Sequence, residues 1–121
     1  MRGIGIDAVD VARFRQALER RPRMAERLFT EGERAYGDRW RDPAPRLAAR
    51  FAAKEAVMKA LGVGLGAFAF HEVEVVSRES GAPSLVLRGE AEALAERLGV
   101  EDWRVSLTHT DSLAQAVAVA L

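Results

Sequence analysis

Apolar side chains recur along the chain with two spacings, which together predict an α+β domain. A repeat of three to four residues predicts helices at 9–28, 31–39, 46–61 and 90–98. Pro22 should break the first of these into two. Alternating or continuous apolar runs predict strands at 3–7, 72–77, 84–88, 103–108 and 114–121. Because the last strand is apolar on both faces, we expect it to lie inside an antiparallel sheet on which the helices pack.

Local signals fix the ends of several elements. Thr30 and Glu33 have the spacing of a capping box, which predicts a helix that starts directly after Thr30. Gly3 and Gly5, within the first strand, are expected to allow the close approach of backbone or ligand. The Gly-rich residues 62–71 predict a loop, and their glycine spacing matches neither a Rossmann fingerprint nor a P-loop. No linker or repeat divides residues 1–121, which indicates a single domain.

Composition excludes several classes of function. The chain of 121 residues has no cysteine, so a disulfide framework, a thiol nucleophile and a Cys-ligated zinc site are all excluded. No serine lies in the Gly-x-Ser-x-Gly pattern of a serine hydrolase. The longest uncharged run has 12 residues, Ala60 to His71, which is too short to span a bilayer. We therefore expect a cytoplasmic protein without a secretory leader and without a membrane partner.

The formal net charge of zero hides an uneven distribution. Residues 1–60 carry 14 basic and 9 acidic side chains, whereas residues 61–121 carry 4 and 9. Six arginines lie within one short segment: Arg13, Arg15, Arg20, Arg21, Arg23 and Arg27. They can form a solvated helix face, or they can dock an acidic macromolecule through long-range attraction. Nucleic acid is the weaker partner, because aromatic side chains are scarce in this segment.

The strongest chemical signal is a charged pair on the longest helix. Glu55 and Lys59 are four positions apart and share one face, where neighbouring alanines are expected to leave room for a partner. An ordinary stabilising helix pair is the alternative interpretation. Asp7 ends the first predicted strand, where it can act as a strand-end or helix cap. With Glu55 it can also form a two-carboxylate Mg²⁺ site, beside which Lys59 would attract a polyphosphate.

Two further sets of residues complete the candidate chemistry. Ser106, Thr108 and His109 lie at the end of a predicted strand and can donate hydrogen bonds to phosphate oxygens. Lys54, the second of only two lysines, is expected to be a solvated neighbour of the site. His71 precedes a predicted strand and is assigned no role.

Three motifs in this order resemble the holo-acyl-carrier-protein synthases. They are the strand Gly3–Asp7, the helix Phe51–Gly62 and the segment Val105–His109. The resemblance covers nearly the whole chain, including the residues Leu28–Glu31 and the turn Gly81–Pro83. It implies a 4′-phosphopantetheinyl transferase-like fold.

The family resemblance also implies a reaction. Members transfer the 4′-phosphopantetheine arm of coenzyme A to a serine of apo acyl carrier protein and release 3′,5′-ADP. By resemblance, Asp7 and Glu55 bind Mg²⁺ at the coenzyme A pyrophosphate, and Lys59 neutralises phosphate charge. Glu55, directly or through a metal-bound water, is expected to accept the serine proton. The other positions that the resemblance assigns to coenzyme A are Gly62, Gly64, Ser106 and His109.

The same resemblance implies two kinds of protein partner. By position, Arg13, Arg20 and Arg23 match family residues that dock the acidic helix of the carrier, which can belong to fatty-acid or polyketide synthesis. The resemblance to the short members of the family implies a homotrimer whose active sites lie between subunits. Two other functions fit the residues alone. One is a non-catalytic basic module that binds acidic protein or RNA, and the other is a Mg²⁺-dependent nucleotide phosphohydrolase.

Overall fold

Five strands and five helices form an antiparallel α+β fold, and the computed structural model describes all residues 1–121. In chain order the elements are β1 (Gly3–Asp10), α1 (Val11–Arg20), α2 (Met24–Leu28), α3 (Glu31–Gly37), α4 (Ala44–Ala60), β2 (Val73–Ser77), β3 (Pro83–Leu87), α5 (Gly89–Arg97), β4 (Trp103–His109) and β5 (Leu113–Ala120). The strands divide into a three-stranded sheet, ordered β1-β5-β4, and a β2-β3 hairpin. The position of β5 at the centre confirms the prediction made from its two apolar faces. None of the helices combines the length and the apolar character that crossing a membrane requires.

Helix α4 lies directly on the three-stranded sheet because both surfaces carry very small side chains. A Cβ atom added to Gly5 would collide with the carbonyl oxygen of Ala56, and one added to Gly3 with that of Ala60. The two glycines therefore allow close approach of backbone, as predicted. The prediction that the motif alanines leave room for a partner is wrong, because Ala56 and its neighbours 52 and 53 are fully buried at this contact.

The first strand is longer than the sequence pattern indicates. Its ladder with β5 continues past Asp7, which pairs with Ala116, as far as Asp10 opposite Leu113. Asp10 caps the next helix, since its carboxylate accepts a hydrogen bond of 3.0 Å from the backbone N–H of Arg13. Asp7 is therefore neither a strand end nor a helix cap, and its side chain is available for another role.

The signals that depend on a few neighbouring residues are confirmed. Helix α1 ends at Arg20, two residues before Pro22, and α2 begins after it. Thr30 and Glu33 form the capping box, with hydrogen bonds of 3.2 and 3.0 Å between each side chain and the other residue's backbone N–H. Helix α1 is fixed to the body of the fold through Phe14, which is buried against other aromatic rings.

The expectation that Lys54 is solvated is wrong. Its side chain is fully buried, and its ammonium group lies 2.7 Å from a carboxylate oxygen of the equally buried Glu33. It also donates hydrogen bonds to the backbone carbonyls of Phe70 and Val73. Desolvation lowers the pKa of Lys54, and the negative charge of Glu33 opposes that shift. A buried charge is tolerated only with such partners, which the spacing along α4 does not reveal.

Candidate active site

Three of the predicted residues meet where α4 crosses β1. The ammonium group of Lys59 lies 3.1 Å from a carboxylate oxygen of Asp7, and it donates a 2.9 Å hydrogen bond to the carbonyl of Ile6. Asp7 and Glu55 line one open cavity of about 470 Å³. Lys59 therefore pairs across the fold with Asp7 and makes no ion pair with Glu55. The ordinary helix pair that the four-residue spacing allowed is not formed.

The electrostatics of this cluster leave it with excess negative charge. Partial burial raises the pKa of Glu55, and the neighbouring charge of Asp7 raises it further, while Lys59 acts in the opposite direction. Two carboxylates thus lie near one ammonium group, which forms an ion pair with Asp7 alone. Such an arrangement favours a cation between the carboxylates or a proton on one of them.

The donor set of the cluster fits a hard divalent cation with few protein ligands. No group of three or more His, Cys, Asp and Glu side chains in the structure is placed to hold a metal ion. Asp7 and Glu55 supply carboxylate oxygens alone, and these are the ligands that Mg²⁺ takes when waters and phosphate oxygens complete its shell. The pair therefore fits Mg²⁺ bound together with a phosphate substrate better than a resident structural metal.

An apolar groove of about 700 Å³ runs from Glu55 between α1, α2 and the loop that follows α4. Its lining residues are Phe14, Ala17, Arg21, Met24, Arg27, Leu28, Phe51, Glu55, Leu65 and Phe70. The rings of Phe51 and Phe70 are 5.4 Å apart. The groove is long enough and apolar enough to receive an extended aliphatic chain whose polar end reaches Glu55.

The proposed docking arginines belong to α1 and to the segment between α1 and α2. Arg13, Arg20 and Arg23 are all solvent-exposed, and Arg13 also lines the cavity that contains Asp7 and Glu55. Arg15 is bound instead to Asp42 at 2.6 Å, and that hydrogen bond raises the pKa of Arg15 and lowers the pKa of Asp42. Arg13 thus lies next to the carboxylates, while Arg20 and Arg23 are exposed further along the same segment of the chain.

His109 lies in a different cavity, one of about 200 Å³ between α4, β4 and the β2-β3 turn. We call this cavity the anion pocket, because Arg46 and Arg50 also line it. Arg50 is buried, stacks over the Tyr36 ring at 3.7 Å, and its Nε has no hydrogen-bond partner. Desolvation lowers the pKa of Arg50, with Tyr36 and then Glu33 opposing the shift. Two guanidinium groups and an imidazole around one cavity suit an anionic ligand.

Sequence reasoning missed both arginines of the anion pocket. The signal that could have revealed them is their spacing, since Arg46, Arg50 and Lys54 recur every four residues and so share one stripe of α4. That stripe faces away from Glu55 and Lys59, toward the β2-β3 hairpin. Helix α4 therefore carries two separate sets of charged residues on two faces.

The remaining predicted residues do not join the carboxylate cluster within one chain. Ser106 alternates with His109 along β4 and so faces the opposite, outer side of the sheet, where it lines a small cavity with Ile6. Gly62 ends α4 with φ = 72° and lies beside Lys59 in a further cavity. Gly64 is exposed in the loop. Asp7, Glu55 and Lys59 therefore form one centre, and His109 belongs to another.

Comparison with known proteins identifies the family. The model of the 4′-phosphopantetheinyl transferase superfamily matches residues 3–118. A holo-[acyl-carrier-protein] synthase of Beutenbergia cavernae is 48% identical over 118 residues, which cover 98% of this chain and 96% of the relative. The crystal structure of the same enzyme from Neisseria meningitidis superposes with a TM-score of 0.90 at 28% identity, covering 100% of this chain and 98% of that one. The crystal structure of the Helicobacter pylori synthase in complex with coenzyme A superposes with a TM-score of 0.86 at 29% identity, covering 98% of this chain and 99% of that one. The chain therefore belongs to the holo-[acyl-carrier-protein] synthases of the 4′-phosphopantetheinyl transferase superfamily, which are enzymes.

Proposed function

We propose that this enzyme transfers the 4′-phosphopantetheine group of coenzyme A to a serine of an apo acyl carrier protein and releases 3′,5′-ADP in a Mg²⁺-dependent reaction. The observation that carries the proposal is the meeting of Asp7, Glu55 and Lys59 at the end of the apolar groove. A pantetheine arm in that groove would have its pyrophosphate beside the one ammonium group and the two carboxylates.

The reaction forms one bond and breaks one at the same phosphorus. The serine hydroxyl oxygen bonds to the phosphorus that carries pantetheine, while the bond from that phosphorus to the bridging oxygen breaks and leaves 3′,5′-ADP. Glu55, whose pKa is raised by burial, is the base that accepts the serine proton. Lys59 stabilises negative charge on the departing phosphate. Asp7 and Glu55 would hold Mg²⁺, which supplies further neutralisation of pyrophosphate charge when bound.

The anion pocket supports binding of the nucleotide end of coenzyme A. His109, Arg46 and Arg50 line a cavity that suits a phosphate group. Within one chain this pocket and the carboxylate cluster are separate cavities. A homotrimer with active sites between subunits would let the pocket of one copy face the carboxylates of the next.

The outer face of the three-stranded sheet supports assembly of several copies. Ile4 and Ile6 on this face are 58% and 64% exposed, and Val117 and Val119 flank them on β5. A row of exposed branched apolar side chains is unfavourable in water and is typical of an interface. We propose that this face is covered by other copies of the chain, with Ser106 at the edge of the contact.

The assembly can be tested by light scattering after size-exclusion chromatography. The wild type should have three times the mass of one chain, and Ile6→Glu should give a smaller species without transfer activity. Ala35→Glu introduces the same charge on exposed α3 and should leave the mass unchanged. A monomeric wild type that transfers phosphopantetheine would contradict the trimer.

The exposed arginines support an acidic carrier as the acceptor. Reversing any one of Arg13, Arg20 and Arg23 to Glu should raise KM for the carrier while KM for coenzyme A stays unchanged, and the difference should shrink as salt screens the charges. Arg97→Glu, at an exposed position of α5, makes the same single reversal and is the matched control. Equal effects of both changes would show that the arginines do not dock the carrier.

The reaction itself is tested by mass spectrometry of the carrier. With coenzyme A and Mg²⁺ the wild type should add one phosphopantetheine to a folded apo carrier and release 3′,5′-ADP, and chelation of the metal should stop the reaction. Phosphate released from nucleotides without a carrier would favour a phosphohydrolase. Salt-sensitive binding of the carrier without any mass change would favour a non-catalytic module. The cytoplasmic location stays a prediction.

A further inference from the structure

We propose that Lys54 is a positioning residue that fixes the far wall of the apolar groove, so that coenzyme A binds with its arm aligned toward Glu55. The inference rests on the proposed function, because it assigns the groove to the pantetheine arm. Lys54 follows the stripe of Arg46 and Arg50 on α4 and lines none of the site cavities, so it acts only through what it holds.

Lys54 is the centre of a buried network that joins three parts of the fold. Its ammonium group binds the Glu33 carboxylate of α3 at 2.7 Å and the Phe70 carbonyl at 3.1 Å, and it also binds the carbonyl of Val73. The same carboxylate accepts a hydrogen bond of 2.9 Å from the backbone N–H of Val75. All three donors of the ammonium group are therefore used, and two of them hold backbone rather than side chain.

The backbone that Lys54 holds is the end of the loop that follows α4. This loop leaves the helix at Gly62 with positive φ, bends again at Gly66, and reaches Phe70. The Phe70 side chain forms one wall of the groove and packs on Phe51, one helical turn before Glu55. Phe70 begins a short 3-10 helix, Phe70–Glu72, and its carbonyl also accepts a hydrogen bond from the backbone N–H of Val73. The bond from Lys54 joins this turn to α4 and so holds the Phe70 wall of the groove against the helix.

Two variants separate this role from simple stabilisation. Glu33→Gln breaks the ion pair but leaves the lysine able to donate to both carbonyls. Lys54→Met breaks the ion pair and also removes the hydrogen bonds from the ammonium group to both carbonyls. Both variants should lower stability, and only Lys54→Met should alter the groove.

Binding of two ligands by calorimetry gives the decisive readout. Lys54→Met should weaken coenzyme A about tenfold, because the wall of the groove that contacts the arm is no longer held, and should leave 3′,5′-ADP, which lacks the arm, unchanged. Glu33→Gln should bind both ligands as the wild type does. In transfer assays the defect of Lys54→Met should lie in KM for coenzyme A, with kcat within about threefold of wild type.

If Lys54→Met does not fold, the double variant Glu33→Met/Lys54→Met takes its place, because it removes the unpaired carboxylate and still lacks the bonds from the ammonium group to both carbonyls. Equal weakening of coenzyme A and 3′,5′-ADP, or wild-type binding of coenzyme A, would overturn the positioning role. A wild type that binds coenzyme A but transfers nothing to the carrier would instead refute the proposed function, which keeps the two failures distinct.

Discussion

Two lysines on α4 show how burial alone changes what an ion pair does. Lys54 and Lys59 each lie close to a carboxylate, at 2.7 Å from Glu33 and 3.1 Å from Asp7. The side chain of Lys54 is fully buried, whereas that of Lys59 is 53% exposed. The pair of Lys54 and Glu33 is shielded from water and connects α4 to α3. In the second pair, Lys59 can exchange Asp7 for a phosphate group. We therefore expect substitution of Lys54 to lower mainly the stability of the protein, and substitution of Lys59 to lower mainly its activity.

The largest expected effect is on stability at the buried site. Lys54→Met leaves the Glu33 carboxylate buried without a counter-charge, so it should lower the free energy of unfolding by about 3–5 kcal/mol. The double variant Glu33→Met/Lys54→Met removes that unpaired charge and should recover part of the loss. The recovery is incomplete because Met cannot accept the hydrogen bonds that Glu33 receives from the backbone N–H groups of Thr30 and Val75. Urea unfolding followed by circular dichroism measures both. A double variant no more stable than Lys54→Met would show that the unpaired charge costs no more than the loss of these two acceptors.

The second effect is on catalysis at the exposed site. Lys59→Met should lower kcat by roughly a hundredfold, because one stabilising charge at the departing phosphate is lost. Its free energy of unfolding should change by less than about 1 kcal/mol, as is typical of exposed pairs. Transfer kinetics and urea unfolding of the same preparation test the contrast. A large loss of stability in Lys59→Met would show that the Asp7 pair is structural after all.

The same contrast explains how much the sequence could predict. Asp7, Glu55 and Lys59 could be assigned because their charges lie on motifs with a defined spacing, and the capping box of Thr30 and Glu33 could be recognised because its bonds are local. The burial of Lys54 could not be predicted. Its partners come from α3 and from the start of β2, and no periodicity along α4 encodes which elements pack against it.

The anion pocket escaped prediction for a related reason. Arg46 and Arg50 are separated from His109 by about half of the chain, and they line one pocket with it because α4 packs against β4. Arg50 is buried there without a partner for its Nε. Composition alone does not distinguish these two residues from the other arginines of residues 1–60. Their role depends on tertiary contacts.

The smallest expected effect concerns Glu55, the carboxylate between the two lysines in sequence, which pairs with neither. Its pKa is raised above 4.5 in the folded state by burial and then by Asp7. The folded protein thus holds this proton more tightly than the unfolded chain, so the ionised Glu55 costs stability above its folded pKa. Glu55→Gln should raise Tm at neutral pH, and the gain should disappear as the pH falls below 4.5, where both states are protonated.

Lys59 decides the size of that gain, which makes the measurement a direct test of the contrast between the lysines. Its positive charge lowers the pKa of Glu55 and so offsets part of the cost. In a Lys59→Met background the gain in Tm from Glu55→Gln should therefore be larger than in the wild type. Lys54 is not among the causes of the Glu55 pKa shift, so a Glu33→Met/Lys54→Met background should leave the gain unchanged. Scanning calorimetry at several pH values gives all three gains. Equal gains in the wild-type and Lys59→Met backgrounds would mean that the charge of Lys59 does not affect the pKa of Glu55. Lys59 would then interact with Asp7 alone.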